Sequence, residues 1–280
     1  MAVYTRRQLR QRLGIDLLHD TYVGTNTASL GAGLGSAYLI DSILADPSMS
    51  NETRYAGVWA KHNGMVLRSA SFNFGSGSFV TAQTIATSVV NGGEWELHEL
   101  VDPRDKDRAL DWAIDRVWLR QEVALTTVDG ATFYSLGPEV GQVFDWWVHA
   151  APTGSGSRVK MTFVGQRPEI RLTGSGRELR LEGALQASQQ IVLDAEVRLT
   201  LGSLDTATVN LPNNAYEQMV LYGAEAQCWE MLAKRPSPAV DRRSIMLNAQ
   251  RAAGAYSRLA GRFAPQRDYA PRFRSQVPWA

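Results

Sequence analysis

The stretch Gly92–Trp118, GGEWELHELVDPRDKDRALDWAIDRVW, changes its period half-way, and that change decides how the chain is built. Its first part, EWELHEL, alternates as a strand does and puts Glu94, Glu96 and His98 on one face. Its second part carries a helix start. Asp102 can cap, Pro103 suits the first turn, and Asp105 sits near the positive end of the helix dipole. Leu110, Ile114, Val117 and Gln121 then keep one face, which Trp118 widens, so a helix is predicted over 102–121. The acidic run DPRDKD lacks the glycine and the closing glutamate of a calcium loop and reads as helix capping. Glu94, Glu96 and His98 have the donors for a metal or for acid–base work, but a solvent-facing strand edge makes the same pattern and is the simpler reading.

Upstream, Thr5 and Gln8 have capping-box spacing, and Leu9, Leu13 and Leu17 form one apolar face among Arg6, Arg7, Arg10 and Arg12. A short helix is therefore predicted within 1–20, weakened in its middle by Gly14. Residues 21–101 read as a first β-rich segment, with Asn63-Gly64 marking a hairpin. The glycine run SLGAGLGSAYLID, Ser29–Asp41, has Gly31 and Gly33 but Ser36 where a dinucleotide loop needs its third glycine. No Gly-Lys-Ser/Thr follows, so a P-loop is excluded, and a loop entering a strand is the reading.

Downstream, residues 122–211 return to short strands with Gly- and Ser-rich turns, as in an antiparallel sandwich or barrel. Within them Trp146 and Trp147 must face opposite ways, one into the core and the other free to stack on a sugar or fill an interface. Residues 212–264 form a helical hairpin. Asn213 or Asn214 caps its first helix, and Asp241 starts the second, whose inner face is Ile245, Ala249, Ala252, Tyr256, Leu259 and Phe263. Residues 265–280, with three prolines and the aromatics Tyr269, Phe273 and Trp279, read as an extended arm that docks on another chain. The class is α+β: antiparallel sandwich- or barrel-like segments, a terminal helix bundle and that arm.

At 280 residues, 44% hydrophobic and 20% charged, the composition is that of a globular protein, and no apolar run is long enough to span a membrane. One cysteine, Cys228, rules out an internal disulfide or a thiolate-rich metal site, and its apolar neighbours make it a buried thiol rather than a nucleophile. The N-terminus lacks the apolar core of a secretion signal, which points to assembly in a reducing cytoplasm. The net charge of +1 hides an asymmetry: residues 1–13 carry +4, residues 234–280 carry +8, and the body between carries −11. Such ends call for an anionic partner, either nucleic acid or the acidic surface of another chain. The four histidines are far apart in sequence and no Gly-x-Ser-x-Gly elbow occurs, so no catalysis, cofactor or metal is expected.

The order of elements carries a resemblance. TRRQLRQRLGIDLLHD and a glycine-rich loop lead into YLIDSILAD, RYAGVWAKHNG and VLRSASF. The strand-to-helix step above follows, and VNLPNNAYEQMVLYGAEAQCWEMLA closes the series. With its Val-x-Leu-Pro step at Val209–Pro212 ahead of an Ala-rich helix, the chain resembles the neck (head–tail connector, or adaptor) proteins of tailed bacteriophages. The resemblance implies a ring of identical subunits beneath the portal, with the genome passing through it and further neck or tail proteins below. It gives Tyr269, Arg272, Phe273, Arg274 and Trp279 a role in docking on the portal or a neighbouring copy. Arg6, Arg7, Arg10, Arg242, Arg243, Arg258 and Arg262 become a basic surface for docking or for non-specific DNA contact. The large β segment 122–211 is more than many such proteins have. From a different class, a carbohydrate-binding virion or surface module would use Trp146 or Trp147 as its platform.

Overall fold

The computed structural model describes residues 2–29, 33–34, 37–41, 57–62, 64–81, 83–85, 90–126, 131–150, 160–161, 169–173, 176–180, 189–235 and 241–263. The chain divides into two compact units, Met1–Ile114 with Leu201–Ala280, and Asp115–Thr200. The first unit opens with β1 (Ala2–Thr5), α1 (Arg6–Arg12) and a π-helical segment (Leu13–Leu18). It continues through β2 (Thr21–Thr25), β3 (Gly33–Leu34), β4 (Ala37–Ile40), β5 (Trp59–His62), β6 (Met65–Asn73), β7 (Ser78–Thr81), β8 (Thr84–Ile85), β9 (Glu94–His98) and α2 (Pro103–Ile114). The second unit holds β10 (Trp118–Thr126), β11 (Phe133–Leu136), β12 (Val140–Ala150), β13 (Lys160–Met161), β14 (Glu169–Thr173), β15 (Gly176–Arg180) and β16 (Gln189–Arg198). The first unit resumes with β17 (Thr208–Leu211), α3 (Asn214–Lys234) and α4 (Arg242–Phe263). The fold is α+β, with antiparallel sheets throughout.

The N-terminal helix starts where its capping box requires. Gln8 N–H donates to Thr5 Oγ1 at 3.1 Å, and Thr5 N–H donates to Gln8 Oε1 at 2.8 Å. After Arg12 the winding widens to the π form, whose i→i+5 spacing replaces Leu17 by Leu18 beneath Leu13. Leu9, Leu13 and Leu18 are accordingly buried and Leu17 only half-buried. Gly14 is there for space. A Cβ on it would lie 1.9 Å from Thr21 Oγ1 and 2.9 Å from Lys106 Nζ, so the turn can sit on those two groups only without a side chain.

The main sheet of the first unit runs β2-β9-β5-β6-β7-β4, and a short pair β3-β8 stands beside it. β5 and β6 pair as a hairpin, with Gly64 in the turn and His62 opposite Met65; Asn63 lies outside the described residues. One face of the sheet carries the apolar core, including Leu39, Ala60, Leu67, Phe72, Phe79, Trp95 and Leu97. Phe72 sits 4.7 Å edge-on to Phe74 and 4.6 Å from Phe79, ring centroid to ring centroid, within the favoured range for aromatic pairs.

Two boundaries differ from the sequence reading. The helix predicted over 102–121 ends at Ile114, and Trp118 to Thr126 is β10, paired residue for residue with β16 from Trp118↔Arg198 to Thr126↔Gln190. Val117 is buried as expected, but the alternating segment WLRQEVALT gains a long ladder that helical continuation would forgo. The last strand of the predicted segment 122–211 leaves the second unit. β17 pairs with β1, from Ala2↔Leu211 to Thr5↔Thr208, and buries Val209 and Leu211.

The second unit is a sandwich of two antiparallel sheets, β10-β16-β12-β13 and β11-β15-β14. Tyr134, Leu136 and Leu179 of one sheet share a core with Val140, Trp146, Ile191, Leu193 and Ala195 of the other. Its two ends meet: Trp118 faces Arg198, and Leu199 N–H donates to Val117 O at 3.0 Å.

α3 is capped by Asn213, whose side chain accepts from the backbone N–H groups of Ala215 and Tyr216. It is buried on several sides because α2 and α4 pack against it together. Gly223 faces both neighbours, since a Cβ there would lie 3.0 Å from the Tyr256 ring and 3.3 Å from Ala113 Cβ. α4 runs antiparallel to α3: Phe263 stacks on Tyr216 at 4.4 Å, and Arg251 reaches Glu225 at 3.1 Å. Replacing Gly14 by Ala forces Thr21 and Lys106 aside, and should destabilise the protein by about 1–3 kcal/mol. Thermal unfolding of Gly14→Ala beside the native chain measures this, and an unchanged midpoint would refute the tight approach.

Candidate functional site

The polar face of β9 is the first surprise. β9 lies inside the sheet, between β2 and β5, and the face predicted to meet solvent is covered: Glu96 and His98 are buried, and only Glu94 is exposed. Beneath α1 and α2 these groups meet side-chain cations, Arg10 at Glu96 and Lys106 at His98. Among the described residues no group of three or more His, Cys, Asp or Glu is placed to hold a metal ion.

Arg10, with no exposed surface, is the centre. Its Nε and Nη2 donate to the two oxygens of Glu96 at 2.7 and 2.9 Å, a bidentate fork. Its Nη1 donates to Asp107 at 2.8 Å and to Asp205 at 2.9 Å. Lys61, opposite Glu96 on β5, bridges the same two aspartates at 3.0 and 2.9 Å. Arg6 reaches Gly202 O at 2.7 Å, Leu201 O at 3.1 Å and the carboxylate of Asp111. Arg7 pairs with Glu94 and lies 3.6 Å from Glu96.

A second buried cluster adjoins the first. Lys106 Nζ donates to Asp20, to Thr21 Oγ1 at 2.7 Å and to His98 Nδ1 at 2.9 Å, which uses all three ammonium hydrogens. An ammonium cannot accept, so Nδ1 carries the lone pair and His98 is the neutral Nε2–H tautomer. That Nε2 lies 3.2 Å from Glu96 Oε2. Asp20 also accepts from Val101 N–H at 3.0 Å, which ties the end of β9 to the start of α2.

The electrostatics follow from burial and pairing. Burial, then the Lys106 ammonium, pushes His98 down to about 4, against the pull of Glu96. Burial would raise Glu96, but the neighbouring His98 ring and the Arg10 guanidinium outweigh it and hold the carboxyl well below the usual range. Burial would likewise raise Asp205, but Arg10 and Lys61 keep it low. Burial lowers Lys106, partly offset by Asp20, and raises the Cys228 thiol, which is fully enclosed. The cluster's donors are spent on holding α1, α2, β5, β9 and the 201–205 turn in one arrangement. Above it opens a groove of about 730 Å³, lined by Arg7, Lys61, Arg104, Asp107, Leu204 and Asp205.

This geometry corrects several assignments. Arg6 and Arg10, expected to dock or face DNA, are buried ion-pair partners, and Arg7 is largely covered and paired. The body's carboxylates lie close enough to desolvate and neutralise them, which costs less than leaving either set unpaired. Neither Trp146 nor Trp147 is an exposed platform; they are 6% and 7% exposed. Trp146 joins the sandwich core, and Trp147, opposite Val192 on the other face, is buried there as well. Arg242, Arg243, Arg258 and Arg262 are exposed along α4. Tyr269, Arg272, Phe273, Arg274 and Trp279 lie outside the described residues. Sequence reasoning missed Lys61, Asp20, Asp205 and Lys106. Lys106 had a signal, because Pro103, Lys106, Leu110 and Ala113 share one helical face and all four are buried.

Comparison with protein-family models, with curated proteins and with solved structures found no match. Among the described residues no helix is long and apolar enough to cross a membrane.

Removing one member of the Arg10–Glu96 fork strands the other in the interior. Arg10→Met and Glu96→Gln should each cost about 3–5 kcal/mol in urea unfolding, and the double variant less than their sum. Additive losses would show that the pair is not coupled. Acid should act early. His98 stays neutral when folded but takes a proton below pH 6.5 when unfolded, so stability falls between about pH 6.5 and 4, by up to ~1.4 kcal/mol per pH unit. The depressed carboxylates add their own loss below about pH 4. His98→Gln should flatten the slope above pH 4.5; an unaltered slope would remove His98 as its source.

Proposed function

We propose that this chain is a structural virion protein of a tailed-phage neck. It forms a homo-oligomeric ring between portal and tail, and its C-terminal arm docks on the portal or on a neighbouring copy. The observation that carries this reading is the outer face of α4. Arg242–Phe263 contains arginines and no acidic residue, and Arg242, Arg243, Arg258 and Arg262 are exposed. Among the described residues none of these four has a carboxylate within ion-pair distance, whereas Arg251 on the same helix is paired with Glu225. Four unneutralised guanidinium groups on one rigid helix suit a repeating anionic surface, such as an acidic protein ring or a phosphate backbone, better than a small ligand. The chain's sequence ends in a stretch rich in proline, arginine and aromatic residues directly after this helix. That order supports helix and arm acting as one docking element.

Mixing the purified chain with portal protein and measuring particle mass tests the reading. A co-assembled multi-subunit particle is expected, and a chain that stays monomeric beside portal overturns it. Reversing Arg242, Arg243, Arg258 and Arg262 to Glu should weaken assembly at least tenfold, with salt mimicking the effect. Arg171→Glu, on the second unit, should change it little. Equal effects at both places would remove α4 as the docking face.

A further inference from the structure

A second groove, of about 360 Å³, lies between β1 and the π-helical turn, lined by Val3, Tyr4, Gln8, Arg12, Ile15 and Asp16. Its apolar groups are turned outward: Val3 is 61% and Ile15 41% exposed, on opposite walls. The walls are rigid. Tyr4 Oη donates to Glu217 at 2.6 Å, Arg12 pairs with the same buried carboxylate, and β1 is held by β17. Two exposed aliphatic side chains flanking a preformed notch, with an Arg–Asp pair at its rim, make a seat for an aromatic side chain carried on an extended peptide.

The occupant follows from where the last helix stops. Phe263 stacks on Tyr216, and the next residue, Glu217, is the one that holds Tyr4 and Arg12. The root of the C-terminal arm therefore stands only a few side-chain widths from the groove. Pro265 follows the helix almost at once, and Pro271 and Pro278 come later; each disfavours helix at the residue before it. At roughly 3.1 Å per residue, an extended arm carries Tyr269 roughly 19 Å and Phe273 roughly 31 Å beyond Phe263. Those aromatics overshoot the groove beside their own root. That reach is long enough to serve the equivalent groove of an adjacent copy. The geometry points to this groove as the seat of the neighbouring copy's arm, with Tyr269 or Phe273 between Val3 and Ile15. The arm and the groove are different surfaces of one chain, so the contact is head-to-tail and its repetition is compatible with the ring proposed above. The inference rests on the ring reading above and adds which surfaces meet.

The test uses full-length chains. Cys228 is buried and its thiol pushed up, so it stays silent under mild oxidation. Chains carrying Ile15→Cys alone and Phe273→Cys alone are mixed, allowed to assemble and oxidised; a parallel pair uses Tyr269→Cys. The expected result is a disulfide-linked dimer from either mixture, absent when each variant is oxidised separately. In a chain carrying both Ile15→Cys and Phe273→Cys, a disulfide that forms only within single chains, with none in the mixtures, overturns the exchange between copies. An assembled particle with no disulfide in any mixture overturns the groove and leaves the ring standing. A chain that is monomeric throughout removes both. Val3→Glu, on the exposed wall, should weaken self-association at least tenfold while the melting temperature holds; an unchanged association counts against the seat.

Discussion

Arg10 is a guanidinium with no access to water, four hydrogen bonds to three carboxylates, and each of those carboxylates on a different segment. Three separate segments of the first unit are held together by keeping it satisfied. Glu96 comes from the sheet, Asp107 from α2 and Asp205 from the chain returning after the second unit. A planar fork is what the position needs, since lysine could not bind one carboxylate through two parallel bonds and still reach two more. Such a network adds little net stability over an apolar core of the same shape, but it admits one arrangement and penalises every other. It acts on specificity: it fixes how residues from both ends of the sequence close on the sheet.

This recasts the meaning of the charge asymmetry. The two basic ends look alike in composition and differ in fate. At the N-terminus the arginines are consumed within the fold, neutralised by the acidic body that made the ends appear unmatched. On α4 the inner face is already committed to α3, Arg251 is paired with Glu225, and Arg242, Arg243, Arg258 and Arg262 have no carboxylate within ion-pair distance among the described residues. Net charge by segment cannot separate these cases, because pairing depends on which residues the topology brings together.

Local signals were legible and long-range ones were not. The capping box at Thr5, the Asp102 start of α2, the hairpin of β5 and β6, the Asn213 cap and the inner face of α4 rest on neighbours within a few residues, and the sequence contains them whole. The alternation of EWELHEL was also plain, with Trp95 and Leu97 in the core and Glu96 and His98 opposite. Whether that opposite face met water or a helix was not in the pattern. Two helices over one sheet face turn a polar stripe into an interior, and only the placement of α1 and α2 decides it. The end of α2 failed for a related reason: Val117 and Gln121 fit a helical face, but β16 lies some seventy residues on and offers a ladder that no local window contains. The π turn was out of reach too, since one wider turn moves burial from Leu17 to Leu18 while the leucine spacing still reads as an ordinary helix.

The strands that open and close the second unit are partners along their length, and the link between Val117 and Leu199 seals the place where they leave and re-enter. Ends that lie side by side let the second unit change in length beyond its first and last strands without pulling those ends apart, while Arg10, Glu96, Asp107 and Asp205 all belong to the other unit. Selection can then vary what the insertion presents to the outside without renegotiating the frame that carries it.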